Sequence, residues 1–312
     1  MAIPENATEL AENLYQIDTK LGGFNEVTAG YLIIEPVPVL IETGAQSSYK
    51  TVVETLKDFN LSPNDLSSVI VTHIHLDHAG AVGDIAKEFP SAKIYVHPKG
   101  ARHLIDPTRL IQSAQSVYGD FLDSLYGRLT PTESERIVAV QDGQELIIAS
   151  NRKLTFIDSP GHAKHHIAIF DDLSGIIFCG DAAGVKLPDV GVLRPSTPPA
   201  DFDLDQALSS LKKFLNYKPH RVALAHYGLI DQEPQELIRE ATEQLISWAE
   251  VATKAWQQNQ DIADALTKKF GNELANLDPE KAEKINILNG IHSNAMGLKL
   301  WLEKTHKNRA TH

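Results

Sequence analysis

Residues 72–80 read Thr72-His73-Ile74-His75-Leu76-Asp77-His78-Ala79-Gly80. With this chain's own histidine and aspartate frequencies, an H-x-H-x-D-H string arises by chance on the order of 10⁻³ times per sequence, so its residues are read first as a site. Leaving a strand, positions i and i+2 project to one side, so His73 and His75 converge on one point. The chain then turns and offers Asp77 and His78 toward a second point. Neutral imidazoles and carboxylates are ligands for Zn²⁺ and similar first-row ions. The string therefore reads as two half-built metal positions side by side. Completion must come from elsewhere, and three candidates stand in suitable places: His162 in Ser159-Pro160-Gly161-His162, Asp181 in Phe178-Cys179-Gly180-Asp181, and His226 in Leu224-Ala225-His226-Tyr227-Gly228. Each lies at the end of an apolar run and close to a glycine, where a loop can approach an ion closely.

The elements that must position these residues follow from periodicity. Asn13–Asp18, Thr28–Glu35 and Val37–Glu42 read as strands, the last two as a hairpin across Pro36 and Pro38. Val52, Val53, Leu56 and Phe59 mark a helix over Ser48–Asn60 with Ser48 as its N-cap. Ser67–Val71 is a buried strand running into the histidines, Ala81–Phe89 a short helix and Lys93–His97 another strand. Residues 98–135 break this rhythm and read as two or three short helices inserted between strands. A β-meander is expected next: Ile137–Val140, the hairpin signal Asp142-Gly143, Glu145–Ala149, Leu154–Asp158, Ile167–Phe170 and Ile176–Cys179. An amphipathic helix from Leu204 to Leu215 leads to the strand Val222–Ala225. No strand signal appears after residue 226. The spacing instead predicts helices, with Leu237, Ala241, Leu245, Trp248 and Ala252 on one stripe and Ile291, Ala295, Leu298, Trp301 and Leu302 on the last. The division expected is 1–232 as the catalytic domain and 233–312 as a helical appendage, either a lid or a dimer surface.

The order H-x-H-x-D-H, P-G-H, G-D at a strand end and a late A-H, spread over roughly residues 14–228, resembles the metallo-β-lactamase superfamily. The resemblance implies an α/β fold, the αββα sandwich, with a dinuclear metal centre on one sheet edge. It implies that His73, His75 and His162 hold the first metal. Asp77, His78 and His226 would hold the second, and Asp181 would bridge both. Glu42 in Glu42-Thr43-Gly44 takes the place of an aspartate common in the family and, with His166, is expected to support the ligands. The cofactors implied are two divalent ions, zinc foremost, although iron and manganese accept the same set. Asp181 separates the chain from true β-lactamases, which usually lack that residue, and His75 separates it from flavodiiron enzymes, which generally carry Glu there. What remains is the hydrolytic branch: thioesterases like glyoxalase II, lactonases, and phosphodiesterases. The lactonase tyrosine three residues after the bridging aspartate is Gly184 here. The Ala182-Ala183-Gly184-Val185-Lys186 segment also lacks the cysteine and arginine of glyoxalase II.

The expected function is hydrolysis of a lactone, ester or thioester by a metal-bridging hydroxide, with Asp77 steering a proton and Tyr227 either donating to the developing oxyanion or serving as a buried aromatic anchor. A phosphodiesterase is the alternative, and a metal-bearing regulatory protein with little turnover the third reading. The 312 residues carry 29 basic and 41 acidic side chains, a formal charge of −12. With no Lys/Arg cluster apparent along the chain, nucleic acid is not an expected partner. No apolar run of about 18 residues suggests a membrane span, so a small-molecule substrate and the cytoplasm are expected, with a homodimer through the tail helices open. Tyr118 and Tyr126 in the insertion are expected to wall the pocket, His97 and His103 to lie at the surface or at helix ends, and Cys179 to act as a small core hydrophobe.

Overall fold

Alternation in the strands sorts the chain into layers. The computed structural model describes residues 2–198, 201–274 and 277–310. Its first sheet contains, in spatial order, β1 (Ala7–Ala11), β2 (Leu14–Asp18), β3 (Ala29–Ile33), β4 (Val39–Ile41), β5 (Ser68–Ile70), β6 (Lys93–Val96) and β7 (Ile137–Ala139). The pairs are antiparallel as far as β4 and parallel from β4 to β7. The parallel crossovers use α1 (Tyr49–Asp58), α2 (Leu76–Ala79), α3 (Val82–Glu88), and the insertion helices α4 (Pro98–Ile105), α5 (Thr108–Tyr118) and α6 (Phe121–Leu125). The second sheet holds β8 (Glu145–Ala149), β9 (Arg152–Asp158), β10 (Ile167–Asp171), β11 (Ile176–Phe178), β12 (Arg221–Leu224) and β13 (Gly228–Ile230), with α7 (Leu204–Phe214) joining the parallel pair β11 and β12.

Period-two geometry assigns each residue its layer. Tyr31, Ile33, Val39 and Ile41 face Phe156, Ile169, Ile176 and Phe178 between the sheets. Leu32, Leu40 and Val69, one residue out of step, pack outward under α1 and α3. On the second sheet Ala168, Ile177, Val222 and Leu224 face the other way, toward α7 and the tail. This is the αββα sandwich.

The tail comprises α8 (Pro234–Gln257), α9 (Ile262–Phe270), α10 (Pro279–Asn289) and α11 (Ile291–Ala310). Leu245, Trp248, Leu266, Phe270, Leu298 and Leu302 share one cluster with Ile177 and Leu224, so these helices extend the outer layer of the second sheet. Trp248 is fully buried and stacks on Phe270 with ring centroids 4.8 Å apart. Burying such a ring is worth roughly 2–3 kcal/mol, and here it joins α8 to α9.

The structure departs from the expected elements at four places. Asp142-Gly143 does not close a hairpin: β7 pairs with β6 in the first sheet and β8 with β9 in the second, so this turn carries the chain between sheets. An Asp-Gly pair reports a chain reversal and says nothing of which strand receives the next one. Gly228–Ile230 forms β13 beyond residue 226, too short to show alternation, and Ala7–Ala11 forms β1. Ser48 does not cap α1 with its side chain, because a 3₁₀ turn over Gln46–Ser48 already gives it helical backbone angles.

Candidate metal centre

Four strands of the two sheets end at one place. His73 and His75 follow β5, and Asp77 and His78 sit in the first turn of α2. His162 lies beyond β9, Asp181 beyond β11 and His226 beyond β12. The fold brings all seven together in three overlapping groups: His73, His75 and His162; His73, His78 and Asp181; Asp77, His78 and His226.

In the first group His73 Nε2, His75 Nδ1 and His162 Nε2 form a triangle with edges of 3.0, 3.1 and 3.2 Å. Protons cannot explain it. The Thr72 hydroxyl donates to Glu42 Oε1, so at 3.0 Å it accepts from His73 Nδ1–H, which leaves Nε2 of that ring bare. His162 Nδ1–H donates to the Ser196 carbonyl at 3.2 Å, again leaving Nε2 bare. Two lone pairs aimed at each other over 3.2 Å repel unless a cation lies between them. A tetrahedral ion with metal–nitrogen bonds of about 2.0–2.1 Å spaces its ligands about 3.3–3.4 Å apart, close to this triangle.

The second group adds carboxylates to its imidazoles. His226 Nδ1–H donates to the Val27 carbonyl at 2.8 Å, and His78 Nδ1 lies 3.3 Å from Glu42 Oε1. Their Nε2 atoms meet at 3.2 Å. Asp77 Oδ2 is 3.4 Å from His226 Nε2 and 3.6 Å from His78 Nε2. Asp181 spans the two groups: Oδ1 is 3.3 Å from both His78 and His226 Nε2, while Oδ2 is 3.6 Å from His162 Nε2. Asp181 Oδ1 is buried without a hydrogen-bond donor, a costly state for a carboxylate oxygen unless a cation faces it. The residues present therefore fit two divalent ions.

The electrostatics of the two groups differ in sign. Burial, then the neighbouring imidazole His78, push His73 well below the usual histidine range. Burial pushes His162 down to about 4 against the pull of Asp181. Burial also lowers His78 and His226, but there the carboxylates win. Asp77, Asp181 and Glu42 raise His78 well above its ordinary value, and Asp181 with Asp77 raises His226 to about 9. Asp77, although raised by burial, falls to about 2 beside His78 and His226 and stays ionised.

Supporting contacts hold each ligand in place. Glu42 grips Thr72 and His78, and Thr43 binds the His78 carbonyl through both its amide and its hydroxyl, each at 2.9 Å. His166 Nδ1 meets Ser159 Oγ at 2.8 Å, and its Nε2 accepts from the Asp181 amide at 3.3 Å. That approach requires Gly180, which has φ of +50° and whose added Cβ would stand 2.6 Å from the same nitrogen. Ser196 serves both halves, its carbonyl taking His162 Nδ1–H and its hydroxyl donating to Asp181 Oδ2 at 3.2 Å. No sequence signal marked Ser196 or Thr72.

Ser196 is in turn held by the tail. The Thr197 amide donates to Asn294 Oδ1 at 2.7 Å, Asn289 Nδ2 to the Pro195 carbonyl at 3.0 Å, and Arg194 to the Asn289 carbonyl at 3.3 Å. Gly297 makes this docking possible, since a Cβ there would overlap the Thr197 carbonyl oxygen at 1.9 Å. Helix α11 thus reaches the first group through one loop.

The centre forms the floor of a cavity of about 580 Å³ lined by His75, Asp77, His162 and Asp181 together with the insertion and the tail. Tyr118 and Tyr126 line it as expected. Tyr227 does not. Its hydroxyl is bound to Gln16 beside Asp18, and its ring packs with Leu187 and Ile285, because the turn into β13 carries it to the far side of His226. His97 stands at a helix end as expected, accepting the Lys99 amide at 3.0 Å as the N-cap of α4, and is buried there facing Asp158 at 3.2 Å. Cys179 lies in the core, its thiol pushed up by burial.

Residues 27–226 match the model of the metallo-beta-lactamase superfamily, and the chain belongs to that family. It is 29% identical over 267 residues to the metallo-beta-lactamase fold-containing protein ST1585 of Sulfurisphaera tokodaii, covering 83% of this chain and 93% of that protein. The crystal structure of ST1585 superposes with a TM-score of 0.69 at 25% identity, over 92% of this chain and 98% of that one. The probable metallo-hydrolase YflN of Bacillus subtilis is 24% identical over 202 residues, 60% of this chain and 74% of that protein. The metallo-beta-lactamase family protein TTHA1429 of Thermus thermophilus shares the fold at a TM-score of 0.65 and 18% identity, over 96% and 95% of the two chains.

Proposed function

We propose that this metal-dependent hydrolase acts on the carbonyl of a small lactone, ester or thioester, with His73, His75 and His162 holding one divalent ion, Asp77, His78 and His226 the other, and Asp181 both. The observation that carries the reading is the position of Asp181, its two oxygens divided between the two histidine groups on the floor of the cavity. When bound, a pair of such ions supplies an activated water at neutral pH and polarises the oxygen of the group under attack.

The side chains do the rest. Asp77 stays ionised and lines the cavity beside His226, where it can steer a proton leaving the attacking water. Tyr118 takes the donor role expected of Tyr227. The residue is 36% exposed, but desolvation of its hydroxyl in the cavity wall, then the Asp77 charge, raise the phenol to about 12, so it keeps its proton at neutral pH. Tyr126 is its hydrogen-bond partner, with the two ring centroids 4.6 Å apart, and both rings line the cavity. The tail supplies Asn289, Ser293 and Asn294 to the wall, which supports its role as a cover over the site. A cavity of about 580 Å³ suits a small molecule.

The test is elemental analysis of the purified protein beside a panel of lactone, thioester and phosphodiester probes. Two metal equivalents with lactone or thioester turnover are expected. Full turnover by metal-depleted His73→Ala/His75→Ala protein would refute the scheme.

A further inference from the structure

The cavity has a mouth as well as a floor, and its charge opposes that of the molecule. Lys99 and Arg102 sit three residues apart on α4, Arg109 begins α5, and Lys164 lies two residues beyond His162. All four line the cavity. Apart from the carboxylates of the metal groups, Asp201 is the acidic side chain lining it, and it pairs with Lys164 at 2.9 Å. Among the described residues Lys99, Arg102 and Arg109 have no carboxylate within 4.0 Å, in a chain where acids outnumber bases 41 to 29. Arg102 Nε instead donates to His103 Nε2 at 3.1 Å, and burial followed by the charges of Arg102 and Arg109 lowers that imidazole, so the cations surround it.

The charges of Lys99, Arg102 and Arg109 along one cavity work against the empty protein, and among the described residues no carboxylate offsets them. A second observation lies deeper along the same wall. His165 lines the cavity and is buried; among the described residues its Nδ1 meets no hydrogen-bond partner, while Nε2 is 3.7 Å from Asp201. A buried polar atom left unsatisfied beside a cationic mouth is the mark of a site shaped for a ligand.

We propose that Lys99, Arg102, Arg109 and Lys164 form a subsite for an anionic group, so that the substrate carries a carboxylate or phosphate at the end remote from the carbonyl held over the metal groups. The assignment of that carbonyl rests on the hydrolase reading above; the anion subsite does not. Guanidinium groups suit either anion because their planar donors match its oxygens in pairs.

The test uses the full zinc-loaded chain and the Arg102→Ala/Arg109→Ala variant, with zinc content and thermal unfolding confirming that both are intact. Mono-4-nitrophenyl glutarate and 4-nitrophenyl pentanoate are nearly isosteric esters that differ in one remote carboxylate. The variant is expected to raise KM for the charged ester by about tenfold or more, leaving its kcat and both constants for the neutral ester within about twofold. Equal losses on both esters, or no change on either, would overturn the subsite. Calorimetric titration with glutarate and with inorganic phosphate reads the mouth without turnover, and at least about tenfold weaker binding of one of them by the variant is expected. Unchanged affinity for both anions rejects the proposal. If neither ester is turned over but anion binding depends on the arginines, the hydrolase reading fails and the subsite stands. Should a variant unfold, Arg102→Gln alone with the same titrations takes its place.

Discussion

The two halves of the metal centre are built from the same residue type and behave oppositely. Around His73, His75 and His162 burial outweighs the pull of Asp181 and Asp77, so it decides and the rings stay neutral. His78 and His226 are equally buried, yet Asp77 and Asp181 face both, Glu42 faces His78, and together they raise these rings above the usual histidine range. A buried imidazole therefore has no fixed charge, and its neighbours set the sign of the shift. One half offers neutral rings to a cation at neutral pH, whereas protons compete with a cation for the other. The bridging Asp181 makes the halves depend on each other.

The strongest way to break this comparison is to remove the bridge or the neutral trio. Asp181→Asn should lower the affinity of both halves, and His73→Ala/His75→Ala should leave at most one ion per chain, each with turnover down on the order of 10³-fold or more. Two ions retained by the Asp181 variant would show that the halves are independent.

Acidification sharpens the comparison. Below about pH 9, protons compete for His226 and His78, so between about pH 8 and pH 6 the affinity of the second ion should fall by up to about tenfold per unit for each proton displaced. The first ion should hold until the pH nears the His162 value of about 4. Stepwise titration of the cobalt form by absorbance reads the two separately, and parallel loss of both ions would contradict the assignment.

Smaller effects locate the chemistry. Tyr118→Phe is expected to lower kcat by about 10- to 100-fold with metal content unchanged, while Tyr227→Phe stays within about twofold. The opposite ranking in steady-state kinetics would return the donor role to Tyr227. Gly297→Ala should cost about 1–3 kcal/mol in unfolding free energy. Because its clash falls on Thr197, beside Ser196, it should also weaken the first ion more than the second. Calorimetry on the variant checks both, and equal weakening of the two ions would separate the tail from the His162 side.

Much of the centre was legible in order along the chain. The H-x-H-x-D-H string, His162, Asp181 and His226 could be picked out because ligand chemistry restricts residue type and because each follows an apolar strand. Glu42 and His166 were likewise visible beside motifs, and the structure places both against the ligands. Tyr227 was misread because adjacency to His226 in sequence is not adjacency in space, and the turn into β13 sends its side chain away. The strand pairing of the Asp142-Gly143 turn was also beyond reach, because a turn fixes a local reversal and the partner is chosen by distant packing.

By itself, then, the sequence determined the ligand types, their order, and the layers that alternation and helical stripes require. Those are local properties, set by a residue and its near neighbours. Only the tertiary structure decided which half of the centre carries protons, that Ser196 joins both halves and is clamped by Asn289 and Asn294, and that basic residues from 99 to 164 ring one cavity. Charge acts through space, so a chain that is acidic on average can still present a cationic mouth once folding brings its scattered lysines and arginines together.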